Sequence, residues 1–154
     1  MKIRSDFVTN SSSSSFIISF KNERDKQKQY EDFKKMYTGF AENLFADIEK
    51  HRLSYSECLA QIKERASWYS KYYVLYHMPE YAHLRYDENW VNSKEFKKLQ
   101  KEYEQQEIDN FKNKVNHRGQ FSIIEVSDHT SEGSELEHYI LPHMPFVVIQ
   151  YSNH

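Results

Sequence analysis

Phe146-Val147-Val148-Ile149-Gln150-Tyr151 decides the fold. Five of these six residues are β-branched or aromatic, types that pack well on a pleated, half-buried surface, so the run predicts a strand. A lone strand is not stable, and two other runs supply neighbours: FSIIEV at 121–126 and FIISF at 16–20. Between the strands at 16–20 and 121–126 the apolar period changes to three or four residues, which is the helical period. The fold class expected is therefore α/β, with α+β as its variant. It has a small sheet of about three strands (16–20, 121–126, 146–151), three long helices and one short helix. The connection from 121 to 151 is long enough for a parallel crossover.

Working outward, Tyr30, Phe33, Tyr37, Phe40, Leu44 and Ile48 form one helical stripe, with Asn22 as its cap and Gly39 as a break or bend. Ser54 with Glu57 reads as a capping box before Leu59, Ile62, Ala66, Tyr69 and Tyr73. Met78-Pro79 stops that second helix, and the aromatic segment from Pro79 to Val91 has room for a short turn. Asn92 with Glu95 is expected to cap a third helix that Gly119 ends, and Ser134 with Glu137 a short fourth that Pro142 ends.

With 154 residues, residues 1–154 are expected to form a single domain, 1–15 being a serine-rich N-terminal segment. No charged-then-apolar leader opens the chain, and no apolar run approaches the roughly 20 residues of a membrane span. A cytoplasmic location without a membrane partner is the expectation. Cys58 is the one cysteine, so no internal disulfide forms, and burial is favoured over catalysis for it. The net charge of −2 is unevenly spread. Residues 121–154 hold five acidic residues and four histidines but neither lysine nor arginine. A dedicated DNA-binding protein would carry a basic face or arm, so nucleic acid is not the favoured partner.

Ser11 to Ser15 follow Asp6-Phe7-Val8-Thr9-Asn10 and lead into Phe16. The run reads either as a flexible linker or, if ordered, as an edge segment or an anion site, though the glycines of a phosphate loop are missing. This opening resembles a DFVTNSSSSSF signature found on uncharacterised small proteins of Firmicutes and their phages. The resemblance implies a bacterial or phage origin and carries no activity, cofactor or catalytic residue with it.

One chemical constellation stands out. Asp128 and His129 follow a strand, where α/β sheets often place ligands, and Glu135 and His138 are spaced to share a helical face. Asp128, His129, Glu135 and His138, with His143 near, form a candidate divalent-metal set, and Glu132 is a spare carboxylate for general base work. Glu-x-x-His also occurs at Glu80 to His83, and about one such pair is expected by chance, so the spacing alone is weak.

The second constellation is aromatic: Trp68, Tyr72, Tyr76, Tyr81, Tyr86 and Trp90. Tyr69 and Tyr73 continue the core stripe, whereas Trp68, Tyr72 and Tyr76 project from a neighbouring face, where such residues make good protein anchors. No complete catalytic set is visible. The function expected is a small cytoplasmic interaction protein, bacterial or phage in origin, that binds a protein partner, an inhibitor being one form of this. The alternative is a metal-dependent hydrolase built on the C-terminal cluster, and self-association is a further possibility.

Overall fold

The computed structural model describes residues 13–152; residues 6–12 of the signature and His154 lie outside them. The chain divides into two compact units, one of residues 1–58 and 114–154 and one of residues 59–113.

The first unit contains β1 (Ser13–Phe20), β2 (Arg52–Leu53), β3 (Gln120–Ser127) and β4 (Val147–Ser152). They form one antiparallel sheet in the order β2-β3-β1-β4. The three expected strands are present, but β1 begins three residues early, inside the serine run. The run is therefore neither linker nor edge over Ser13–Ser15: it opens the strand that lies between β3 and β4. β2 makes a fourth strand, and two residues are too few to show an alternating pattern. Since β3 and β4 both run against β1, they are parallel to each other with β1 between them. The predicted crossover thus steps over a strand instead of joining neighbours.

Register assigns the faces. Ser14 opposes Val126 and Phe16 opposes Ile124 on one face; Ser15 opposes Glu125 and Ile17 opposes Ile123 on the other. On the first face pack α1 (Glu23–Met36) and α2 (Thr38–Lys50), where one helical stripe broken or bent at Gly39 was expected. The break is at Tyr37, whose ψ of 59° leaves the helical region while its ring stays 5.2 Å from Phe33. Gly39 lies inside α2, with open space where a Cβ would be, and has no part in the break. Asn22 caps α1 as expected, accepting from the Asp25 N–H at 2.8 Å.

Phe20, Phe45 and Phe146 meet with centroids 5.4 to 5.9 Å apart, beside Phe33, Leu44, Ile48, Phe16 and Ile18. Each ring buried there contributes about 1.5–3 kcal/mol of transfer free energy. Lys26 pairs with Glu49 across the two helices and, with Arg52, holds the Glu49 carboxyl below its ordinary range.

The Ser54–Glu57 capping box is closed in both directions, at 2.9 and 3.1 Å, and starts α3 (Tyr55–Tyr76). These bonds to Ser54 hold the Glu57 carboxyl low. Cys58 is fully buried, and burial pushes its thiol up to about 12, which makes it a packing residue and not a nucleophile.

The second unit is a helical hairpin. The remainder of α3 lies along α5 (Lys94–Lys114), with Tyr73 stacked on Tyr103 at 4.3 Å and Gln100 donating to the Ser70 hydroxyl at 3.1 Å. A 3₁₀ turn (Pro79–Leu84) and α4 (Glu88–Val91) close it around Val74, Trp90 and Phe96. The cap of α5 is Ser93, which accepts from the Phe96 N–H at 3.2 Å, and not Asn92. The Asn92 amide instead donates to the Glu88 carbonyl at 2.9 Å. α5 ends at Lys114, short of Gly119.

Candidate functional site

In the first unit, chemistry gathers at the serine end of the sheet. Ser13, Ser14 and Ser15 are all buried, although a hydroxyl gains little from leaving water unless it finds a partner. Ser14 finds one 123 positions away: its Oγ donates to Glu137 Oε1 at 2.6 Å, both side chains being fully buried. The serine run and the C-terminal acidic turn therefore meet.

Three local features aim Glu137 inward. Thr130 caps α6 (Ser131–Glu135), accepting from the Gly133 N–H at 3.0 Å, where Ser134 was expected as the cap. Gly133 passes so close to the end of β3 that a Cβ would fall 1.9 Å from the Ser127 carbonyl oxygen, so only glycine lets the turn lie there. From Leu136 to Ile140 the helix then widens to a π turn, burying Leu136, Glu137 and Ile140.

That change of register reshapes the predicted metal set. Asp128, Glu137 and His138 come together, each offering one donor atom, all within 4.8 Å of one another. His138 Nε2 is 3.7 Å from Asp128 Oδ2 and 3.6 Å from Glu137 Oε2. His129 and Glu135, both exposed, are outside the group, as is His143. Glu135 and His138 share a face only if the helix keeps its α register, and it does not. Glu137, absent from the expected set, is buried while Asp128 and His138 are partly open to solvent, giving the cluster one fixed side and one accessible side. These three residues are the ones that could hold a divalent ion.

A second buried acid, Glu125, lies on the opposite face of the sheet. It pairs across with Ser15, whose other neighbour is Tyr151, also buried. An acid within the apolar run FSIIEV is a readable sign of an internal polar group. Nothing comparable distinguishes Glu137 from Glu135, since the π turn that selects it has no simple periodic signature.

In the second unit the aromatic residues part company. Trp90 is buried against Phe96, and Tyr81 is stacked on Trp90 at 5.4 Å, so neither belongs to an exposed surface ridge. Trp68, Tyr72 and Tyr76 are 62, 48 and 47 % exposed and lie four residues apart along α3, forming one ridge. Tyr72 and Tyr76 are in contact at 4.8 Å. The Arg65 guanidinium lies over Trp68 at 5.4 Å and over Tyr69 at 4.7 Å; Arg85 lies over Tyr76 at 4.7 Å and donates from Nε to the Leu75 carbonyl. Tyr86 stands apart, 86 % exposed. No protein-family model matches the chain, and no significant match is found among curated proteins or solved structures.

If the Ser14 hydroxyl secures the buried carboxylate, Ser14→Ala costs about 1–3 kcal/mol, the range for depriving a buried acceptor of its donor. Urea unfolding checks it, with half-exposed Ser19→Ala as the control. Equal, small effects of the two substitutions would show that the bond contributes nothing.

Proposed function

We propose that the chain is a small cytoplasmic binding protein, of bacterial or phage origin, that docks a protein partner on the α3 ridge of Trp68, Tyr72 and Tyr76. Inhibition of that partner is one form such binding takes. The observation that carries the reading is the exposure of three large aromatic side chains along one helical stripe, in a helix whose Tyr73 packs inward against Tyr103. Tyrosine and tryptophan bring large contact area at small entropic cost, since each has few rotatable bonds. Arginines lying over Trp68 and Tyr76 restrain those rings before a partner arrives, which lowers the ordering cost of association. Tyr86 extends the accessible aromatic area beyond the ridge.

The test is affinity capture from Firmicutes lysate with the wild type and with the combined variant Trp68→Ala, Tyr72→Ala, Tyr76→Ala. A protein retained by the wild type and lost on the variant, whose helical circular dichroism is unchanged, is the expected result. A partner held equally well by both proteins would move the interface elsewhere.

A second reading, a metal-dependent hydrolase, rests on the convergence of Asp128, Glu137 and His138. In it the imidazole and the two carboxylates hold the ion, and the accessible side admits water and substrate. Zinc or manganese should then raise the melting temperature of the wild type and leave that of the Asp128→Asn, His138→Gln variant unchanged. The same response from both proteins, or none from either, removes this reading.

A further inference from the structure

α5 and the C-terminal acidic turn have a property in common that neither proposed activity uses. Lys94, Lys97, Lys98 and Lys101 recur at the spacing of one helical face, and all four are exposed. They crowd the N-terminal half of α5, whose first turn carries the positive end of the helix dipole and also holds Glu95, while Lys112 and Lys114 lie at the opposite end. Lys94 with Lys98 and Lys97 with Lys101 are like-charged pairs one turn apart, which destabilise a helix by a few tenths of a kcal/mol each, about the size of a favourable pair.

The opposite charge is on the acidic turn. Glu132, Glu135 and Tyr139 are exposed and spaced three and four residues apart, in a segment without any lysine or arginine from residue 121 to 154. Tyr139 is 73 % exposed. The lysine stripe extends about 10 Å, from the α-helical rise over seven residues. Among the described residues none of the four lysines, nor Glu132 or Glu135, makes an ion pair, although Lys26, Glu49 and Arg52 do.

We infer that these two stripes are complementary docking surfaces for a second copy of this chain. The acidic turn of one copy lies along the lysine face of α5 in another, with Tyr139 against the lysine stems. The charges are complementary, the like-charge repulsion among the lysines is relieved, and each copy offers both surfaces. Such a contact joins two different surfaces, so each copy can bind a further copy through either one. Ion pairs at an exposed surface are individually weak, which makes the association concentration-dependent and sensitive to salt.

Sedimentation velocity on the full chain at about 20 mM and about 500 mM salt, which changes the Debye length severalfold, tests this. The wild type should gain average mass with concentration at low salt and remain monomeric at high salt. Lys94→Glu with Lys98→Glu should abolish the gain, and so should Glu132→Lys with Glu135→Lys. An equimolar mixture of the two variants should restore it, because each then supplies the surface that the other lacks; restoration also shows that both are folded. Trp68→Ala with Tyr72→Ala and Tyr76→Ala should leave it unaltered, which separates this contact from the α3 ridge. A wild type that is monomeric at low salt, variants that still associate, or a mixture that does not would each overturn the inference.

Discussion

The backbone of Ser13–Phe20 is hydrogen-bonded along both edges, to β3 on one side and β4 on the other, and among the described residues no other strand has two long neighbours. The sheet is assembled around it. Its register decides which residues of β3 and β4 face α1 and α2, since a shift of one residue would exchange Phe16, Ile18 and Phe20 for Ser15, Ile17 and Ser19. The aromatic contacts of Phe20 with Phe45 and Phe146 exist only in the observed register. The strand has an apolar half and a serine half, and the two behave differently. The apolar half makes the core; the serine half brings hydroxyls into an interior that otherwise excludes them.

Serine suits that second task because it is small enough for tight strand packing and carries a donor. Glu137 is where this matters most. A buried carboxylate is costly unless its charge is met by hydrogen bonds or opposite charge. Ser14 meets one oxygen directly, while His138 lies near the other. Gly133 and the π turn bring the acid to that position, so strand, glycine and turn form one structural arrangement. The same end of the sheet holds Glu125, with Ser15 across the ladder and Tyr151 on the far side of Ser15. This concentration of internal polar groups marks the end as more than packing.

Elements governed by local rules were legible in the sequence. Three strands, the Asn22 cap, the Ser54–Glu57 box and the proline stop after Met78 all follow from short-range patterns and recur in the structure. What was hidden depended on distant contacts. The sequence around Ser11–Ser15 resembles a linker because polar residues usually stay in water; only pairing with residues more than a hundred positions away makes Ser13–Ser15 a strand. The break at Tyr37 was missed in favour of Gly39 because glycine is the stronger general breaker, whereas the ring of Tyr37 remains packed on Phe33 at the actual turn. Trp90 and Tyr76 look equivalent in sequence; the short α4 turns the former inward, and α3 leaves the latter exposed. Of the expected metal set, Asp128 and His138 lie together with Glu137, while Glu135 lies outside the group because the π turn does not keep the α spacing.

Amide hydrogen exchange at Ser13, Ser14 and Ser15 tests most directly whether the serine run is an inner strand of the sheet. In that arrangement their N–H groups are protected to nearly the same degree as those of Ile17 and Ile123, and open only with unfolding of the sheet. Exchange at these three amides as fast as in an unstructured peptide, with Ile17 still protected, would contradict the account.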